Sequence, residues 1–220
     1  MLDLSRPTDY YAQPRDDFLA WVNPRGRSVL DVGCGAGALA PSLRARGFTH
    51  LAGIEVESAA AEIARARYDL VVELRVEQAL PALSTKFDLI VCADILEHLP
   101  DPWTVLDQLR RLSHESTVLA VSIPNIRYWR ALAKIAFGAG FEYEASGIFD
   151  STHLRFFARR NVAATLLRAG WSPVRWGSPR PGRLGRLRNL LARLSGGWTD
   201  QWLARQVFVV ATLTRPSTTE

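Results

Sequence analysis

The stretch Val29–Gly37, VLDVGCGAG, is an apolar run that breaks into alternating glycines, and it is the first place where residue type and spacing suggest a ligand. Gly33, Gly35 and the small Ala38 satisfy the loose pattern in which a turn brings backbone close to a nucleotide at a helix N-terminus. Asp31 stands two residues before the first glycine, where a carboxylate would repel a pyrophosphate and attract a cation. Glu55 closes the next apolar run, placed to accept ribose hydroxyls from either a dinucleotide or another adenosine ligand. A cationic, phosphate-free adenosine ligand such as S-adenosyl-L-methionine suits that charge better than a pyridine dinucleotide. The cofactor contacts expected from the loop are Asp31, Gly33, Cys34, Gly35, Gly37 and Glu55.

Two further constellations carry proton or metal chemistry. In ADILEHLPDP, Asp94, Glu97 and His98 fall at offsets i, i+3 and i+4, so a helical turn would align them to hold a hard divalent cation such as magnesium. In DSTHLRFF, His153 is the candidate base for removing a hydroxyl proton, with Asp150 to orient it or touch substrate hydroxyls and Arg155 to pair with an anionic acceptor. Each has a plain alternative: an acid and a histidine that shape the loop in the first, a histidine fixing a loop anchored by Phe156 and Phe157 in the second. Serine or cysteine nucleophiles are disfavoured, since no GxSxG occurs and Cys34 points into the glycine loop. Cys34 and Cys92 read as reduced packing residues.

These groups need a scaffold, and the chain supplies one. Apolar runs at 28–33, 50–55, 70–74, 87–94 and 117–125 alternate with helical patterns, which predicts βαβ units and a parallel sheet with helices on both faces. Beyond them the pattern predicts a helix and irregular segment, a helix ending at Gly170, and strands over 171–177 and 206–215. Between those strands lies a Pro- and Gly-initiated insertion with leucines at 184, 187, 190, 191 and 194 and arginines at 180, 183, 186, 188 and 193. It suits an amphipathic helix, either a cap with a solvated face or a surface for anionic lipid or glycan.

Length and composition fit one α/β domain over 1–220, comprising an N-terminal cap (1–24), a cofactor core (25–125), an acceptor-side segment (126–160) and the basic insertion (178–205). With 48% hydrophobic and 22% charged residues the chain is neither disordered nor membrane-spanning in pattern, and its start lacks the layout of a signal peptide, so a cytoplasmic protein is expected. The net charge of +5 is carried almost wholly by arginine. No basic stripe interleaved with aromatics is present, so nucleic acid is not an expected partner. A monomer or homodimer is expected.

Taken together, VLDVGCGAG, GIE ending at Glu55, FDLIVCADILEHLPDP and SIPN resemble the class I S-adenosylmethionine-dependent methyltransferases. The resemblance covers about residues 10–177 and resumes at 206. It implies a Rossmann-like seven-stranded sheet with the last strand antiparallel, and cofactor contacts from Asp94 and Tyr11. YYAQPRDD and GIFDSTHLRFF resemble a bacterial subgroup associated with glycan and secondary-metabolite assembly. That subgroup implies O-methylation of a small or oligosaccharide acceptor, a sugar first and a polyketide or quinone-like phenol second, touched by Arg155, Asn125 and Tyr128. The Asp94, Glu97 and His98 loop resembles the magnesium-binding loop of ubiquinone-pathway O-methyltransferases. One position departs from the family: Arg75 stands where an acid commonly meets the adenine amino group, and either Glu77 or a backbone group replaces it.

Overall fold

The computed structural model describes residues 15–138, 141–179, 194–195 and 198–214. The elements run α1 (Asp16–Val22), β1 (Ser28–Val32), α2 (Ala40–Ala45), β2 (His50–Ile54), α3 (Ser58–Arg65), β3 (Leu70–Val72), α4 (Val76–Ala82) and β4 (Phe87–Ala93). A 3-10 turn (Leu96–His98) follows, then α5 (Pro102–Arg111), β5 (Ser113–Pro124), α6 (Trp129–Phe137), α7 (Arg159–Arg168), β6 (Trp171–Gly177), α8 (Asp200–Leu203) and β7 (Gln206–Leu213).

All seven strands join one sheet in the order β3-β2-β1-β4-β5-β7-β6. β1 pairs in parallel with both β2 and β4, whereas β7 inserts antiparallel between β5 and β6. The chain therefore leaves β1 in one direction and, after β3, restarts on its other side at β4. Such a reversal opens a crevice at the carboxyl ends of β1 and β4, where ligands of open α/β sheets bind.

Why the strands sit centrally follows from their residues: β1, β4 and the second half of β5 are mainly apolar runs, as strands covered on both faces must be. One face packs Leu30, Ile90 and Leu119 against Leu106, Leu109 and Leu166. The other packs Val29, Leu89 and Val91 against Phe18, Leu19 and Leu43. Trp171 is fully buried, and its indole N–H reaches the Leu106 carbonyl at 2.8 Å, so a large apolar residue enters the core with its donor satisfied.

β3 stops at Val72, short of the predicted 74, because Arg75 is the N-cap of α4 in extended conformation. Among the described residues no helix is long and apolar enough to cross a membrane. The insertion arginines 180, 183, 186, 188 and 193, with Tyr10 and Tyr11 of the cap, lie outside the described residues.

Candidate active site

The glycine loop leaves β1 at the crevice. Gly33, Gly35 and Gly37 have φ of 75°, 53° and 76°, the left-handed region that glycine adopts without strain. At Gly33 space is decisive too, since a Cβ there would lie 2.8 Å from Ile95 Cδ1. The amides of Gly33 and Cys34 donate to the Ile54 carbonyl at 2.8 and 3.0 Å, which ties the loop to β2. Glu55, just past β2, completes it: one carboxylate oxygen accepts Gly35 N at 2.9 Å and the other accepts Glu57 N at 2.8 Å. The acid expected for a ribose thus also shapes the loop.

Asp31 sits deeper than its charge alone suggests. Its carboxylate is 2% exposed and accepts the Tyr68 hydroxyl at 2.5 Å. Burial pushes Asp31 up to about 7, opposed by the Tyr68 hydrogen bond and assisted by the nearby Glu55 charge. Cys34 packs its sulfur over Gly53, where a Cβ would come within 2.6 Å of Sγ. Burial holds its thiol above the usual range, so what Cys34 offers the crevice is backbone. Arg75 is exposed and Glu77 half-buried in the first turn of α4.

The loop after β4 corrects the expected metal set. Asp94 takes a left-handed φ of 54° and Ile95 a non-helical −122°, so the helical turn begins only at Leu96. Asp94 leaves that face and is held elsewhere: it is ion-paired with Arg15 and accepts Ser122 Oγ at 2.7 Å and Gln206 Nε2 at 3.0 Å. Arg15 also donates to Ser122 Oγ and Gln206 Oε1, at 3.0 and 3.1 Å. The hard, oxygen-rich trio of Asp94, Glu97 and His98 does not form.

His153 takes the vacated place. The segment after α6 docks on the 3-10 turn through Leu154 N and Arg155 N, which donate to the Glu97 carbonyl at 2.8 and 3.1 Å. This brings one donor atom each of Glu97, His98 and His153 within 4.8 Å of one another. The two imidazoles meet edge to face at 4.7 Å. Glu97 is 1% exposed, neither carboxylate oxygen has a hydrogen-bond partner among the described residues, and burial pushes it up to about 8.

Hydrogen bonding fixes both rings. His153 Nδ1 lies 2.9 Å from the Ile148 carbonyl, which only accepts, so in the neutral ring Nδ1 donates and Nε2 holds the lone pair. Asp150 acts on the other histidine. Its Oδ1 accepts the Thr152 hydroxyl at 2.7 Å, that hydroxyl's proton is thereby spent, and His98 Nδ1 at 2.9 Å must donate to Thr152 Oγ1.

Two expected substrate contacts are placed elsewhere. Asn125 is buried, its amide donates to the carbonyls of Gln201 and Ala204 at 2.9 and 2.8 Å, and its oxygen accepts Arg127 N at 3.1 Å. It caps α8 and has no group left for an acceptor. Arg155 donates to the Pro100 carbonyl at 2.7 Å and borders a separate cavity of about 260 Å³ with Trp103 and Arg168. Tyr128 packs with Ala131, Ile148 and Phe149, the small core beneath the acceptor-side segment. On it lies an aromatic group: Phe141 meets Phe149, Phe156 and Tyr143 edge to face at 5.0, 5.4 and 5.5 Å. Tyr68 and Gln206 carried no sequence signal, since both lie outside the motifs and meet the site only through the sheet.

Comparison with known proteins adds three findings. A family model described as a methyltransferase domain matches residues 5–175. The ubiquinone biosynthesis O-methyltransferases of Histophilus somni and Glaesserella parasuis are 32% and 31% identical over 137 and 150 residues, 58% and 61% of this chain. The chain spans 56% and 62% of their lengths. A crystal structure of a SAM-dependent methyltransferase from Archaeoglobus fulgidus superposes with a TM-score of 0.68 at 16% identity, covering 90% of this chain and 92% of that one, a likeness of fold.

Proposed function

The chain belongs to the methyltransferase-domain family, and from that premise we propose that it transfers the methyl group of S-adenosyl-L-methionine to the hydroxyl of a small-molecule acceptor. The observation that carries this reading is the pair of buried carboxylates, Asp31 and Glu55, packed under and beside the glycine loop. Negative charge there disfavours a pyrophosphate and favours the sulfonium and ammonium of the donor.

Methyl transfer from a sulfonium is an in-line displacement, so the protein must align the acceptor oxygen with the methyl and draw off its proton. The Glu97, His98 and His153 cluster stands beside the same edge of β4, with His153 the first candidate for the base. Magnesium held by Asp94, Glu97 and His98 is not part of this reading, because Asp94 is committed to Arg15, Ser122 and Gln206.

The acceptor is a phenol or quinone-like ring in preference to a sugar. Phe156 is partly exposed with its ring 6.4 Å from that of His153, Phe141 packs on Phe156 and Tyr143 on Phe141, and aromatic faces suit a flat ring. The related proteins are named for ubiquinone biosynthesis, and the sugar expectation drawn from YYAQPRDD and GIFDSTHLRFF finds no counterpart among them. Incubation with methyl-labelled S-adenosylmethionine and parallel panels of catechols and oligosaccharides tests the reading. Label is expected on a phenolic oxygen. Label only on nitrogen, carbon or a sugar hydroxyl rejects the corresponding part.

A further inference from the structure

We propose that the cavity between α5 and α7 is a binding site for a small aromatic carboxylate, separate from the crevice at the glycine loop. The inference uses none of Asp31, Glu55 or His153, so it stands independently of the proposed methyl transfer.

Three features of the cavity point to that ligand. The first is charge. Arg155 and Arg168 both border the opening, and among the described residues no acidic side chain lines it. Neutral acceptors, the Pro100 and Leu154 carbonyls at 2.7 and 2.9 Å, fix the Arg155 guanidinium without neutralising it. Asp101 lies in its field but is committed as the N-cap of α5, where its carboxylate accepts the Thr104 amide and hydroxyl at 3.0 and 2.6 Å. Arg168 is the last residue of α7 and is exposed, with no ion pair among the described residues. Two guanidiniums without a carboxylate attract an anion, and their planar fork matches a carboxylate best.

The second is the surface beside those charges. Trp103 stands half-buried in the first turn of α5, with the Arg155 guanidinium 5.9 Å from its ring centroid, and Phe156 and Phe157 add two further rings to the wall. Aromatic faces next to a cation suit a flat ring that carries its negative charge at one edge.

The third is size. α5 and α7 share a core contact through Leu106, Leu109 and Leu166, but where Trp103 and Ala164 border the cavity the alanine methyl is too small to close it. The volume of about 260 Å³ lies below the roughly 300–1,000 Å³ of pockets for drug-sized ligands, which limits the occupant to a single ring with its substituents. Asn161 and Thr165, four positions apart on α7, put an amide and a hydroxyl on one helix face for hydrogen bonds to those substituents.

The test titrates benzoate into the full chain at low salt, with neither donor nor acceptor present, and follows the heat. One equivalent is expected to bind. Benzamide, which lacks the charge, and acetate, which lacks the ring, are each expected to bind at least about tenfold more weakly. Arg168→Gln and Ala164→Leu, both at exposed positions of α7, should each weaken benzoate at least about tenfold, the first by removing a charge and the second by filling the space. Arg111→Gln, on α5 but outside the cavity, should leave the affinity unchanged. Unfolding midpoints on the same samples show that each variant is folded. Absence of saturable benzoate binding, equal binding of benzamide or acetate, an equal loss in Arg111→Gln, or affinity that survives Ala164→Leu overturns the site. Failure to methylate any phenol rejects the proposed function and leaves benzoate binding as it is, so the two readings fail separately.

Discussion

The Tyr68 hydroxyl and the Asp31 carboxylate, 37 residues apart, meet at 2.5 Å beneath the glycine loop. Tyr68 follows α3 and Asp31 lies in β1, so the bond ties the first helix layer to the strand that delivers the loop. Asp31 therefore acts on a ligand as a buried field held in place by a neighbour, and not as an exposed hand.

Removing that neighbour has a stated cost. Tyr68→Phe leaves the Asp31 carboxylate buried without its hydroxyl donor, and loss of one such partner destabilises by about 1–3 kcal/mol. The Asp31 pKa rises further, because the hydrogen bond is what opposes burial. Chemical denaturation is expected to show the stability loss, and calorimetry weaker S-adenosylmethionine binding at pH 7. Unchanged values in both measurements would separate Tyr68 from the site.

A pH dependence follows from the same group. Asp31 is raised from 3.8 to about 7, with Tyr68, Glu55, Cys34 and Cys92 among the titratable groups near it. Between these values the folded chain holds a proton that the unfolded chain has released, so the Asp31 contribution to stability falls as pH rises through that window, by at most about 1.4 kcal/mol per unit. A cationic donor favours the ionised form, so its affinity rises with pH through about 7. The difference between the unsubstituted chain and Asp31→Asn in thermal unfolding from pH 4 to 8 isolates this contribution. A difference with the opposite slope would falsify it.

Gly33 and Gly47 offer a matched pair. Both hold left-handed φ, 75° and 91°, but a Cβ at Gly33 meets Ile95 at 2.8 Å whereas one at Gly47 meets nothing within 4 Å. Gly47→Ala should cost only backbone strain, about 1–2 kcal/mol. Gly33→Ala should cost more, since Ile95 must also move, and should displace the turn that carries Glu97. Equal losses of stability would show that the contact with Ile95 is easily relieved.

Much of this layout is legible in the sequence. The alternation of apolar and helical runs gave the parallel strands, because covered strands must be apolar throughout. The glycines and Glu55 marked the crevice, because a tight turn at a strand end admits few residue types. What could not be read was which side chains meet across the crevice. The spacing of Asp94, Glu97 and His98 suits a helix, but Ile95 breaks it and Arg15, 79 positions earlier, pulls Asp94 away. The Ile148 carbonyl holds His153, and Asp150 reaches His98 through Thr152. Local periodicity does not encode such choices; long-range docking of the 141–158 segment makes them.

The Arg15 and Asp94 pair fastens the start of α1 to β5 and β7 through Ser122 and Gln206. Its side chains are 15% and 27% exposed, so solvent screens the pair only in part. A double-mutant cycle with Arg15→Ala and Asp94→Asn should give a coupling of about 1–3 kcal/mol in denaturation. Simple additivity would mean that α1 is held by its apolar face alone, through Phe18 and Leu19.

Asn125 separates a structural reading from a substrate-binding one. Its amide serves two carbonyls, those of Gln201 and Ala204, and its oxygen takes the Arg127 amide, which leaves the side chain fully employed in holding α8 against the end of β5. Asn125→Ala strands one buried and two partly buried partners and should cost about 1–3 kcal/mol in thermal or chemical unfolding. Asn125→Asp should cost more at neutral pH, because a carboxylate oxygen then faces carbonyl oxygens where an N–H₂ had donated. In both variants the KM for a phenolic acceptor, measured well below the unfolding temperature, is expected to stay within about twofold. A KM that rises tenfold or more while the unfolding midpoint stays put would return Asn125 to the acceptor site and require α8 to move when the acceptor binds.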